Sequence, residues 1–270
     1  MKVSLDGLSL FVGTGGVSWR ADQQTLFFQH GAGMDRTVWV LLARYFARHG
    51  YNVVTADLPG HGASDGQALE SIEDQAAYIW TLIDCLQAEH GLPTGPVVLA
   101  GHSMGALTVT EAAGMRPQAV EHLLLFGSGY PMPVGQILLD AARNNEQSAV
   151  DMIAIFGHSY ASQLGHNPVA GINVQQSAMA LLERAAPGVL HTDLSACNNY
   201  QGLEQACASY GPGKTTLIVG DSDQMTAMKM SQNFAKQSDA KLVVLRNCGH
   251  MVMSEQPEQT LQAAREVLLR

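Results

Sequence analysis

The sequence predicts an α/β fold in which helices cover both faces of a mostly parallel sheet. Short apolar runs bounded by glycine, proline and aspartate recur along the chain and are typical of buried strands. Stretches with apolar positions at helical spacing lie between several of these runs. Because parallel strands need crossover connections, this alternation favours a sheet that is covered on both faces.

The predicted elements follow in chain order. The strand-like runs are LSLFVG, TLFFQHG, YNVVTADLPG, PVVLAGHS, VEHLLLFGSG, TTLIVGDSD and KLVVLRNCGH. The helix-like stretches between or after them are WVLLARYFARHG, IEDQAAYIWTLIDCLQAEHG, ALTVTEAAGM and EQTLQAAREVLLR.

The alternation stops between about Pro131 and Pro212, where helix-like segments follow one another without a convincing strand. We therefore predict a core formed by residues 1–130 and 213–270, with a helical insertion at 131–212. Glycine and proline near residues 165–168 and 187–188 divide the insertion into several short helices.

Composition excludes several classes of protein. Fifteen basic and 24 acidic residues give a net charge of −9, without a Lys/Arg run, so we expect no nucleic-acid partner. No apolar run is long enough to span a bilayer, so we expect no membrane span, and we do not expect the N-terminal segment to be a secretion signal. The four cysteines form no CxxC pair, which favours free thiols and a cytoplasmic protein. The oligomeric state stays open.

One serine, Ser103, lies in the sequence GHSMG between an apolar strand and a helix-like run. This strand, turn and helix arrangement is the context that G-x-S-x-G needs to expose a nucleophilic serine. Gly101 and Gly105 remove side chains that would collide with neighbouring backbone. The alternative is a tight turn packed by small residues, so the interpretation depends on partner residues elsewhere.

A serine hydroxyl becomes a good nucleophile only when a base takes its proton and an acid orients that base. His250 follows the run KLVVL, and both Asp221 and Asp223 follow TTLIVG. Spacing alone does not separate the two aspartates. Read as a pair, they also suggest a metal, but no further Asp, Glu or His cluster completes a ligand set. We expect neither a metal nor another cofactor.

Acyl transfer also needs donors for the oxyanion that forms on the attacked carbonyl. The sequence HGAG at 30–33 follows a strand and is rich in glycine. The backbone N–H groups of Ala32 and Met104 are the candidate donors. The alternative is that HGAG is merely a flexible loop.

These motifs together resemble the α/β-hydrolase fold across nearly the full chain. HGAG, DLPGHGASD, GHSMG, GDSD and CGHMVMSEQPE occur in the family's order. The resemblance implies that Asp223, at the last position of G-x-x-D, is the triad acid, and that residues 131–212 form a cap over the site. His102 departs from the asparagine that is more frequent in carbon–carbon bond hydrolases of the meta-cleavage type, which disfavours that subclass.

From these features we predict a serine hydrolase that cleaves a carboxylic ester, or a related acyl bond, of a small, fairly apolar substrate. Activity should fall on acidification, when the base His250 is protonated. The alternatives are an enol-lactonase, a carbon–carbon bond hydrolase, a perhydrolase or a hydroxynitrile lyase with the same triad. A non-catalytic binding protein on the same fold is a further alternative. A haloalkane dehalogenase would need aspartate in place of Ser103.

Overall fold

The computed structural model describes residues 1–166 and 168–269, and its centre is an eight-stranded sheet. The strand order across the sheet is β1-β2-β4-β3-β5-β6-β7-β8. Strands β3 to β8 run parallel to one another, whereas β2 pairs antiparallel with both β1 and β4. The strands are β1 (Lys2–Leu5), β2 (Leu8–Gly13), β3 (Gln24–Gln29), β4 (Tyr51–Ala56), β5 (Val97–His102), β6 (Val120–Phe126), β7 (Thr215–Gly220) and β8 (Lys241–Leu245).

The mostly parallel sheet predicted from the sequence is confirmed. Strands β5 and β7 are buried at every position, as expected for strands that are covered on both faces. Strand β1 is not among the predicted strands; it has only four residues and lies at the edge of the sheet. Short edge strands lack the continuous apolar pattern of central ones.

Helices cover both faces of the sheet. One apolar cluster lies between the sheet and α2, α3, α9 and α10, and a second lies between the sheet and α1, α11 and α12. No helix in the described ranges is long and apolar enough to cross a membrane. The helices are α1 (Val40–Ala47), α2 (Ile72–Glu89), α3 (Met104–Met115), α4 (Gln136–Arg143), α5 (Gln147–Phe156), α6 (Tyr160–Gln163), α7 (Val174–Leu182), α8 (Val189–Asn199), α9 (Leu203–Tyr210), α10 (Met228–Gln237), α11 (Val252–Glu255) and α12 (Pro257–Leu268).

The segment between β6 and β7 carries helices α4 to α9. A third apolar cluster joins α4, α5, α7 and α8 to Met34 and Met251, which lie in loops after β3 and β8. Helix α9 packs against α3 of the core instead, where Ala206 lies so close to Gly114 that a Cβ added to the glycine would be 2.7 Å from the Ala206 Cα. Packing therefore separates α4–α8, here called the cap, from α9, although both fall within the predicted insertion.

Candidate active site

Ser103 lies in a sharp turn between β5 and α3, with φ 53° and ψ −116°. An added Cβ would meet the Gly105 carbonyl oxygen at 2.2 Å if placed on Gly101, and the Gln29 carbonyl oxygen at 2.4 Å if placed on Gly105. Only glycine fits at these two positions, because the elements around the turn approach backbone to backbone. A non-glycine residue at positive φ is uncommon and is found at functional sites.

Asp223 and His250 form a buried pair beside this turn. The Nδ1 atom of His250 lies 2.9 Å from Oδ2 of Asp223, and both side chains are almost fully buried. The Thr226 hydroxyl donates to the same oxygen, and the Met225 and Thr226 amides donate to Oδ1. Burial alone would raise the pKa of Asp223, but the nearby His250 and these hydrogen bonds outweigh it and lower the pKa.

Asp221 has different partners. Its Oδ1 atom accepts hydrogen bonds from the Ser222 hydroxyl at 2.9 Å and from the Cys248 amide at 3.4 Å. Its side chain is exposed. Of the two aspartates that spacing could not separate, the structure therefore places Asp223 against His250.

A cavity of about 400 Å³ lies between the core and the cap. Ser103, His250 and Ala32 line it, together with mainly apolar side chains from α4, α5, α8 and neighbouring loops. No hydrogen bond joins the Ser103 hydroxyl directly to His250 within the described part of the chain. Such catalytic hydrogen bonds are often long in unliganded enzymes and tighten when substrate binds. The other lining residues are Met34, Met132, Pro133, Val134, Gly135, Ile137, Leu138, Met152, Ile153, Phe156, Leu194, Cys197, Gln224, Met225 and Thr226.

The HGAG segment lies next to the serine turn. A Cβ built on Gly31 would come within 3.3 Å of the Ser103 Cβ and 2.9 Å of the His102 ring, so this loop and the turn touch. Ala32 follows at the cavity wall. Met104 has a fully buried side chain and is the first residue of α3, where backbone N–H groups lack partners within the helix.

A buried carboxylate that sequence reasoning missed supports the His250 loop. Glu255 accepts hydrogen bonds from the Gly249 amide at 2.9 Å and from the amide and hydroxyl of Ser159 in the cap. The His250 amide also donates to the Gly157 carbonyl oxygen. In the sequence, only the position of Glu255 soon after CGH could have indicated this role. An acidic residue there would ordinarily be expected on the solvent-exposed face of a helix.

One further histidine and one cluster of possible metal ligands lie outside the cavity lining. His158 is buried and its Nδ1 lies 2.8 Å from the Ala154 carbonyl oxygen. Cys85, Glu89 and His90, at the end of α2, bring possible metal ligands within 4.8 Å of one another. These three residues are not among those predicted from the sequence to form a site.

Comparison with known proteins places the chain in a family. A family model described as the alpha/beta hydrolase family matches residues 26–263. The chain is 28% identical, over 90% of each sequence, to (E)-2-((N-methylformamido)methylene)succinate hydrolase of Acinetobacter baylyi (strain ATCC 33305 / BD413 / ADP1).

Solved structures share the fold at low sequence identity. The enol-lactonase of Burkholderia xenovorans LB400 superimposes with a TM-score of 0.83 at 16% identity, covering all of both chains. A thermophilic esterase of Thermogutta terrifontis, solved with malate bound, gives a TM-score of 0.80 at 21% identity, covering 100% of this chain and 98% of that one. The family match and the parallel sheet together establish that the chain belongs to the alpha/beta hydrolase family.

Proposed function

We propose that the protein is a serine hydrolase that cleaves carboxylic esters of small, fairly apolar substrates through an acyl-enzyme intermediate. The observation that carries this proposal is the convergence of three features on one apolar cavity. These are the strained turn at Ser103, the buried pair of His250 and Asp223, and the HGAG loop.

In the proposed acylation step, Ser103 Oγ attacks the ester carbonyl and His250 Nε2 takes the hydroxyl proton. Asp223 accepts the hydrogen bond from His250 Nδ1, which fixes the ring tautomer and stabilises the imidazolium. The amides of Ala32 and Met104 donate to the oxyanion. His250 then donates its proton to the leaving alcohol, and the acyl group stays on Ser103.

In the proposed deacylation step, water replaces the alcohol. His250 removes a proton from the water, and the resulting hydroxide attacks the acyl carbonyl. The second tetrahedral intermediate collapses with transfer of the proton back to Ser103, which releases the carboxylic acid. Apart from substrate and water, these steps use only groups of the polypeptide, so the proposed mechanism requires no cofactor.

The cavity lining favours uncharged substrates. Among the described residues that line it, none is Lys or Arg and His250 is the single histidine. Burying a carboxylate without a compensating charge is costly. A substituted succinate of the kind named for the Acinetobacter baylyi relative would therefore lack a counter-charge here. A neutral ester with an aliphatic acyl group fits the lining better.

A burst assay with p-nitrophenyl esters tests the proposal. We expect a rapid release of p-nitrophenol equal to the enzyme concentration, followed by slower turnover. Ser103→Ala should abolish both phases, whereas the matched Ser209→Ala variant, changed at an exposed serine of α9, should behave as wild type. Equal activity in wild type and Ser103→Ala would overturn the proposal.

A substrate panel separates the alternatives that share the triad. Each methylene that enters the cavity contributes about 0.8 kcal/mol, or roughly fourfold in kcat/KM, until the cavity is full. We therefore expect kcat/KM to rise along a series from acetate to hexanoate esters. Turnover of enol-lactones or vinylogous diketones alone would favour the lactonase or carbon–carbon hydrolase alternatives. Binding of these compounds without any turnover would favour a non-catalytic protein.

A further inference from the structure

A buried aspartate of the cap contacts the HGAG loop of the core. Asp193 lies in α8 and its side chain is fully buried. Its Oδ2 atom accepts a hydrogen bond from the Gly33 amide at 2.8 Å and lies 2.8 Å from Nε2 of His61. Its Oδ1 atom has no hydrogen-bond partner among the described residues. One carboxylate oxygen therefore links the cap to two loops of the core.

The hydrogen bonds of His61 require a charged ring. Its Nδ1 atom lies 3.0 Å from the Pro59 carbonyl oxygen, and Nε2 faces the Asp193 carboxylate. Both partners are acceptors, so both ring nitrogens have to carry a proton. Burial alone would lower the pKa of His61, but Asp193, the Pro59 hydrogen bond and the more distant Asp57 outweigh burial and raise it.

The neighbouring His30 is neutral. Its ring lies 4.9 Å from that of His61, and its Nε2 accepts a hydrogen bond from the Leu58 amide. An acceptor nitrogen is unprotonated, and Nδ1 then donates to the Gly31 carbonyl oxygen at 2.9 Å. Burial and the charge on His61 lower the pKa of His30 to about 4. The positive charge in this cluster therefore resides on His61, opposite Asp193.

Gly33 lies directly under the cap. It has φ +65°, and an added Cβ would meet Leu190 at 2.8 Å and Leu182 at 3.2 Å. Two features therefore require glycine at this position: the positive φ, and the close approach of α7 and α8 to the loop. The amide that Asp193 holds follows directly after Ala32 in the chain.

We propose that Asp193 is a positioning residue for the oxyanion loop. By holding the Gly33 amide and the His61 imidazolium together, it fixes the peptide planes next to Ala32 and so directs the Ala32 N–H towards the oxyanion. This role rests on the serine hydrolase function proposed above. Asp193 does not line the cavity, so its effect falls on the transition state and not on substrate binding.

Kinetics of Asp193→Asn test the proposal, with Asp140→Asn as the matched control at an exposed position of the cap. Outright removal of one oxyanion donor lowers kcat by about 10²- to 10³-fold. Misdirection of a donor is a smaller defect, so we expect Asp193→Asn to lower kcat about 10- to 100-fold. KM should change less than about threefold, because this contact is made outside the cavity. Asp140→Asn should leave both constants unchanged.

The pH profile supplies a readout that a merely structural role would not move. The pKa of His61 is raised, so the ring keeps its charge to a higher pH than an ordinary histidine and loses it as the pH rises through that pKa. Wild-type kcat should therefore decline on the alkaline side. In Asp193→Asn, burial keeps His61 neutral, and this decline should disappear. His61→Gln, which retains a neutral donor near the position of Nε2, should also remove the alkaline decline and lose less activity than Asp193→Asn.

These experiments distinguish a failure of the positioning role of Asp193 from a failure of the proposed hydrolase function. Wild-type kcat and an unchanged alkaline decline in Asp193→Asn, with Ser103→Ala inactive, would overturn the positioning role and leave the hydrolase function standing. Activity that persists in Ser103→Ala would overturn the hydrolase function itself. If Asp193→Asn fails to fold, the wild-type and His61→Gln profiles decide, and an alkaline decline that persists in His61→Gln contradicts the proposal.

Discussion

The His102 ring lies with its Nε2 atom 3.1 Å from the backbone carbonyl oxygen of His250. Burial and the nearby His250 lower the pKa of His102 to about 3, so the ring is neutral and Nε2 donates to the carbonyl. The residue before the candidate nucleophile therefore holds the backbone of the candidate base. This hydrogen bond connects the turn that carries Ser103 to the loop that carries His250, and the proposed proton transfer depends on the relative position of the two.

Replacement of His102 should weaken the contact between the turn and the His250 loop. In His102→Leu the buried His250 carbonyl oxygen loses its donor, a defect worth about 1–3 kcal/mol. We expect kcat/KM for p-nitrophenyl butyrate to fall about tenfold or more. His102→Gln keeps a side-chain N–H at a similar reach and should retain most of the activity. Equal losses in the two variants would show that ring packing, and not the hydrogen bond, matters.

Substitution of the two aspartates should have unequal effects. Asp223→Asn removes the carboxylate that accepts from His250 and favours the wrong ring tautomer, so we expect kcat to fall by about 10⁴. Asp221→Asn changes an exposed side chain and should stay within about threefold of wild type, since its partners do not include His250. The measurement is kcat at pH 7 on one ester. The reverse ranking would assign the triad acid to Asp221.

The depressed pKa of Asp223 makes a prediction about stability. A carboxyl group whose pKa is lower in the folded than in the unfolded state stabilises the fold above its unfolded pKa. This contribution disappears as the pH falls through the folded pKa. Thermal unfolding should therefore show Asp223→Asn less stable than wild type at pH 7, with a difference that shrinks below about pH 4. A difference that grows below about pH 4 would contradict the assignment.

The turn at Ser103 should tolerate no side chain at Gly105. A methyl group there would lie 2.4 Å from the Gln29 carbonyl oxygen and 2.5 Å from that of His30. We expect Gly105→Ala to lower the free energy of unfolding by about 1–3 kcal/mol or more. Gly135→Ala is the control for stability, because φ is −60° there and no atom lies within 4 Å of the added group. It should be neutral or raise stability by about 0.4–1 kcal/mol. Chemical denaturation of both variants checks the difference.

Much of the core could be predicted from the sequence. Buried parallel strands are short apolar runs that end in turn residues, so seven of the eight strands correspond to predicted runs. The insertion was harder to divide, because α6 is short and α8 and α9 carry mixed apolar and polar residues. Helix α9 packs on α3 and not with the cap, which follows from tertiary contacts that no local pattern reports.

The sequence by itself determined the order of the elements and the local geometry at Ser103, because glycines on both sides are a requirement of a tight strand-to-helix turn. Only the tertiary structure decided which groups meet. It placed Asp223 against His250, and it brought Asp193 of the cap to His61 and Gly33 across 132 and 160 residues of chain. Such contacts depend on the packing of the cap on the core. A buried carboxylate and an exposed one look alike in a sequence, and only their surroundings distinguish them.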